Sequence, residues 1–167
     1  MKLISAIVLL AVFACGPEAV DVPLTTAPAV TATGECRPTI ARMTPPQSFF
    51  DFVVGGSSKP DLTRDQLLRR GNFYGNAALW VLLPENGEVR TGGDKFLAWR
   101  VKTGVISYVA LRVDAQAPEV RQTLDARSGY GDSGFQPGGV DLPTAGCWEV
   151  TYALDGANDL RFVLKAR

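Results

Sequence analysis

Cys147-Trp148-Glu149-Val150-Thr151-Tyr152-Ala153-Leu154, then Asp155-Gly156-Ala157-Asn158-Asp159, then Leu160-Arg161-Phe162-Val163-Leu164-Lys165 is the stretch that decides the fold. Side chains alternate between faces along a strand. Trp148, Val150, Tyr152 and Leu154 therefore share one face, and Cys147, Glu149, Thr151 and Ala153 the other. Leu160, Phe162 and Leu164 likewise oppose Arg161, Val163 and Lys165. Two half-apolar strands around a glycine-bearing turn read as an antiparallel hairpin. Burial of the aromatic-aliphatic faces sets its register. Trp148 then belongs to the core, while Cys147 faces outward or lies at an edge.

The chain before this hairpin also carries mostly strand signals. Residues 48–54 (Ser-Phe-Phe-Asp-Phe-Val-Val) are aromatic and β-branched, and Gly55-Gly56-Ser57-Ser58 ends them, which predicts a strand. Residues 77–83 are apolar on both faces, as in a central strand. Pro84-Glu85-Asn86-Gly87 predicts a turn with 88–91 returning, because Asn-Gly favours hairpins. Residues 95–101 and 105–113 read as a second hairpin around Lys102-Thr103-Gly104, and 120–124 and 140–142 as short strands. One helix is expected over 60–70, with Asp61 as cap, Leu62, Leu67 and Leu68 on one side and Gly71 as stop. Seven or eight short strands with such turns predict an all-β, immunoglobulin-like sandwich over residues 46–167.

Composition narrows the function. The 17 basic and 17 acidic residues balance. Removal of residues 1–14 takes only Lys2, leaving 16 against 17 and a net charge of −1. That balance argues against nucleic acid as a partner, which calls for a basic patch or stripe. The chain has no histidine, so Ser-His-Asp and Cys-His nucleophile systems have no base. Gly131-Asp132-Ser133-Gly134 spells a serine-protease nucleophile segment but lacks that base. Gly129-Tyr130-Gly131-Asp132-Ser133-Gly134 matches Gly-x-Gly-x-x-Gly, yet Pro137 and the glycines after it deny it the helix that a dinucleotide site opens. Asp132, Asp141, Asp155 and Asp159 lack calcium-loop spacing. No metal or cofactor is expected, and no catalytic residue is assigned.

The first residues give the address. Lys2, an apolar run over 3–14 and Val12-Phe13-Ala14-Cys15 have the layout of a secretory signal peptide. A cysteine directly after the small residue resembles the lipobox of bacterial lipoproteins. That resemblance implies cleavage before Cys15, lipid on Cys15, and attachment to the outer side of a membrane. Gly16 stands where an inner-membrane retention acid would be, which implies the outer membrane where there are two. Residues 15–45, rich in Pro, Thr and Ala, read as a flexible tether. In an exported chain Cys36 and Cys147 read as a disulfide. Its loop of about 110 residues stabilises by about 4–5 kcal/mol in the chain-entropy model. With Cys147 on an outer face, the bridge would clamp the incoming tether across the outside of the sheet.

A glycine-rich loop over 128–139 is the candidate binding surface, with Tyr130, Asp132, Phe135 and Gln136 as its candidate residues. Loops on a rigid β frame commonly bind, and two aromatics with an acid and an amide suit a sugar or a peptide. The same glycines equally allow the aromatics to turn inward. Trp80, Trp99 and Trp148 sit in apolar runs and read as core.

Tyr74-Gly75-Asn76, Ala78-Leu79-Trp80-Val81, Tyr130-Gly131-Asp132-Ser133-Gly134-Phe135-Gln136, Gly146-Cys147-Trp148-Glu149-Val150-Thr151 and Leu160-Arg161-Phe162-Val163 occur in this order. In this the chain resembles a group of uncharacterised bacterial lipoproteins that pair an export signal with a small β-sandwich. The resemblance spans roughly residues 72–167 and implies a secreted β domain without naming an activity. Three readings follow. The first is a lipid-anchored binding module of the cell envelope, with the membrane as one partner and an envelope protein or glycan as the other. The second is a hydrolase of envelope polymer working with carboxylates alone. The third is a structural lipoprotein without a ligand.

Overall fold

The computed structural model describes residues 35–55, 63–124 and 133–167. Two helices come first, α1 (Gln47–Gly55) and α2 (Arg64–Arg70). The strands follow as β1 (Asn72–Gly75), β2 (Leu79–Leu83), β3 (Glu88–Val89), β4 (Asp94–Arg100), β5 (Ile106–Arg112), β6 (Val120–Thr123), β7 (Gly134–Val140), β8 (Gly146–Leu154) and β9 (Ala157–Ala166). They form a four-stranded sheet, β1-β2-β4-β7, and a five-stranded sheet, β3-β9-β8-β5-β6. The chain changes sheet between β2 and β3, β3 and β4, β4 and β5, β6 and β7, and β7 and β8. These crossings give the expected immunoglobulin-like sandwich.

The terminal hairpin has the register that alternation demands. Trp148 pairs with Leu164, Val150 with Phe162 and Tyr152 with Leu160, and all six are buried. Asp155 (φ 51°) and Gly156 (φ 72°) close it, the two positive-φ residues of a tight hairpin turn. Ala157 already pairs with Leu154, so the connection is shorter than the five residues expected. Facing them across the core are Leu79, Val81 and Leu83 of β2 and Phe96 and Ala98 of β4. Burying each large apolar side chain contributes about 1.5–3 kcal/mol. Tyr152 stacks between Tyr108 at 5.6 Å and Phe96 at 6.1 Å and donates its hydroxyl to Gly139 O at 2.7 Å. Burial pushes the Tyr152 hydroxyl far above the ordinary tyrosine range. Tyr108 is raised for the same reason; its hydroxyl donates to Gln122 Oε1 at 2.8 Å.

Several local expectations are corrected. Residues 48–54 form helix α1, not a strand. Phe49, Phe50 and Val53 fall on one helical face and pack inward, while Phe52 and Val54 stay exposed. Packing of that stripe overrides the β preference of aromatic and β-branched residues. There are thus two helices among the described residues. The predicted helix runs over Arg64–Arg70, and its cap is Thr63, which exchanges bonds with Gln66 in a capping box. Asp61 lies outside the described residues.

Neither upstream hairpin forms. After the turn at 84–87, β3 leaves β2 and pairs in parallel with β9, through Lys165 N to Gly87 O and Arg167 N to Val89 O, both 2.9 Å. β4 and β5 lie in different sheets. Val105, just before β5, binds Asp155 at the β8–β9 turn of the same sheet by N–H to Oδ1 at 2.8 Å, and Asp155 N returns to Val105 O at 2.9 Å, extending the pairing of Ile106 with Leu154. This pulls the 101–105 connection across the sandwich.

The Cys36–Cys147 bridge is present, with Cα atoms 5.5 Å apart and a sequence separation of 111. Cys147 lies on the outer face of β8 as expected, but it is only 2% exposed, because the strap around Cys36 covers it. Thr39 N donates to Val163 O at 2.9 Å and Val163 N to Thr39 Oγ1 at 2.8 Å. A Cβ on Gly87 would meet Pro38 Cβ at 2.3 Å, so glycine there lets the strap lie flat. Met43 N bonds Phe73 O at 2.8 Å. The strap is thus tied to the sandwich from Cys36 onward. Residues 15–34, including Cys15, lie outside the described residues.

Candidate apolar binding site

The outer face of the four-stranded sheet is apolar where such a face usually meets water. Phe73 of β1, Trp80 and Leu82 of β2, Trp99 of β4 and Phe135 of β7 make it. Helix α1 lays Phe49, Phe50 and Val53 on it, and α2 adds Leu67 and Leu68. Phe49 meets four rings edge-on: Phe50, Phe73 and Trp99 at 5.3 Å and Phe135 at 5.6 Å. Trp99 and Phe135, paired across β4 and β7, are 5.0 Å apart. Each such edge-to-face pair adds about 0.5–1.5 kcal/mol beyond area burial. Arg64 of α2 caps the group, its guanidinium 4.6 Å from the Phe50 ring centre.

The two layers do not close completely. Between them lies a cavity of about 220 Å³, bounded by Phe49, Val53, Leu67, Trp80, Leu82, Leu97 and Trp99, with no polar surface on its wall. Leu97 borders it and is 43% exposed, which marks the opening. Phe52, 51% exposed, lies against Trp99 at 4.9 Å and Phe135 at 5.8 Å. The indole N–H of Trp99 finds no acceptor among the described residues.

The predicted binding loop resolves differently. Phe135 and Gln136 are strand residues of β7. Phe135 turns into the aromatic cluster, and Gln136 is 1% exposed on the opposite, core-facing side. The sheet separates the two side chains, and neither offers a loop surface. Composition rich in glycine and proline concealed the seven residue pairs that β7 makes with β4. Tyr130 and Asp132 lie outside the described residues. Trp80, Trp99 and Trp148 are buried, as predicted. Phe49, Phe52 and Leu97 were not anticipated as site residues. The i, i+1, i+4 spacing of Phe49, Phe50 and Val53 is the signal that could have found the helix.

A second cleft lies at the far end of β4 and β7, lined by Gly92, Asp94, Lys95, Gln122, Gly139 and Asp141. Asp94 is committed to Arg90 by an ion pair at 3.3 Å, and the Asp141 amide donates to the Tyr108 hydroxyl at 3.0 Å. Among the described residues no group of three or more His, Cys, Asp or Glu is arranged to hold a metal. Elsewhere, the hydrogen bond from Arg112 holds the Asp114 carboxyl below its ordinary range.

No protein-family model matches the chain, and no curated protein matches it. Among solved structures it is similar to a candidate lipoprotein of Bacillus anthracis at 14% identity and a TM-score of 0.36, over 57% of this chain and 77% of that one. It is also similar to the superoxide reductase (neelaredoxin) of Ignicoccus hospitalis at 10% identity and a TM-score of 0.38, over 54% of this chain and 80% of that one. At TM-scores below 0.5 neither likeness carries a function to this chain.

Proposed function

We propose that this protein is a lipid-anchored binding module of the bacterial cell envelope, attached through Cys15, which recognises an apolar ligand at the outer face of its four-stranded sheet. The observation that carries the reading is the cavity under α1, open beside Leu97 and bounded only by apolar surface. Ligand sites are concave and mostly apolar, and a sheet face that served packing alone would be filled to the density of a core. The leader and the cysteine at position 15 supply the anchor. Sugar recognition fits the site poorly, since hydroxyl groups entering it would meet no hydrogen-bonding partner.

Two experiments test this. Cys15→Ala should release the protein from membranes; undiminished membrane retention contradicts the anchor. A photo-crosslinking residue at position 97 in living cells should capture a species that the same residue at exposed Arg161, on the other sheet, does not. Equal labelling from the two positions contradicts the site.

A further inference from the structure

We propose that the cleft between the edge strands β6 and β7 binds a short peptide with both ends free, its carboxylate held by Lys95 and its ammonium by Asp141. This second site is separate from the apolar cavity under α1 and does not rest on it. β6 ends the five-stranded sheet and β7 the four-stranded one. The sandwich stays open between them in a cleft of about 380 Å³, within the roughly 300–1,000 Å³ of small-ligand sites. Leu124 and Pro137 give it apolar wall for a ligand's side chains. Gly138 keeps it open, since a Cβ there would stand 3.5 Å from Leu124 Cδ1.

Charge decides the ligand. Arg90 neutralises Asp94 at 3.3 Å. Lys95 and Asp141 also line the cleft, and among the described residues neither makes an ion pair, with the other or with any third group. The cleft therefore offers one unmatched charge of each sign. A sugar would leave both unmatched, and a simple anion or cation would match one and be repelled by the other. A zwitterion matches both. Because Lys95 and Asp141 do not reach each other, a ligand that bridges them carries its charges apart, and one peptide unit sets its Cα atoms about 3.8 Å apart. The site is also held in shape from beneath. Tyr108, 1% exposed, donates its hydroxyl to Gln122 Oε1 at 2.8 Å and accepts the Asp141 amide at 3.0 Å. With Oε1 so engaged, the Gln122 Nε2 hydrogens, which no described group accepts, are left for the ligand carboxylate.

The test titrates the full chain in detergent micelles with alanyl-alanine and follows the backbone amide signals of Lys95, Gln122 and Asp141 by NMR. The dipeptide should shift all three saturably. Acetylating its amino end or amidating its carboxyl end removes one charge, and each should weaken binding by about fivefold. Lys95 and Asp141 are exposed, so their neutral variants keep the fold. Lys95→Gln should weaken the free dipeptide by about fivefold and leave the amidated one unchanged. Asp141→Asn should weaken the free dipeptide equally and leave the acetylated one unchanged. Absence of saturable shifts with alanyl-alanine overturns the proposal. So do variants that weaken free and capped peptides alike, which would mean that the ends are not read. Free alanine binding as tightly as the dipeptide overturns the peptide assignment, and equal shifts with glucose overturn the zwitterion.

Discussion

Replacing Cys36 and Cys147 together by alanine should cost a large part of the domain's stability. The bridge closes a loop with a sequence separation of 111. In the chain-entropy model the unfolded state then gains about 16 cal/mol/K, or about 4.8 kcal/mol at 25 °C. Small domains are stable by only about 5–15 kcal/mol, so this is a third or more of the total. With a urea slope of about 2 kcal/mol/M, the unfolding midpoint should fall by roughly 2.4 M. The structure also says where the change appears first. The strap is held by Thr39 N to Val163 O and Val163 N to Thr39 Oγ1, so those two amides should lose exchange protection. The inner hairpin pairs Val150–Phe162 and Tyr152–Leu160 should keep theirs. Urea titration of the variant and the parent, followed by amide exchange, measures both. A fall below about 1 kcal/mol, or protection lost evenly along the hairpin, would refute the view that the strap is pinned by this bridge.

Three further outcomes follow from the packing. Phe49→Ala removes the ring at the centre of four edge contacts and should destabilise by about 3–5 kcal/mol in thermal or urea unfolding; a loss under about 1 kcal/mol would mean that α1 is not seated on the sheet. Gly75→Ala should destabilise severely, because a Cβ there would stand 2.2 Å from the Trp80 ring; a melting temperature equal to the parent's would contradict the β1–β2 register. Tyr108 and Tyr152 are raised above the ordinary tyrosine value by burial, so their contribution is complete below about pH 10 and is lost as pH rises past it, at up to about 1.4 kcal/mol per pH unit for each. Tyr152→Phe should remove about half of that alkaline slope; an unchanged slope would show that the buried hydroxyl is not responsible.

The parts of the fold that could be read from the chain are those where one local signal decides. The alternation in β8 and β9 has a single burial solution, and two cysteines in an exported chain have one obvious use. The helix over 47–55 was hidden because Phe, Val and Phe favour strands on average, while the site rewards the helical stripe of Phe49, Phe50 and Val53. The false hairpin between β4 and β5 shows a different limit. Lys102-Thr103-Gly104 looks the same whether strands pair across it or pass to opposite sheets, and only the bonds between Val105 and Asp155 distinguish the cases. Residues 134–140 were read as loop for a related reason: they carry glycine and proline, yet an edge strand paired on one side tolerates both. The apolar site joins the segment before β1 to the outer faces of β1, β2, β4 and β7, and no local pattern in the chain announces that meeting.

Methyl NMR under xenon tests most directly whether an accessible apolar cavity lies within the contact between the two helices and the sheet. Xenon should shift the Val53, Leu67 and Leu82 methyls saturably, while those of Leu142 and Leu164, fully buried in the sandwich core, stay in place. Equal small shifts throughout, or none at Val53 and Leu67, would contradict the account.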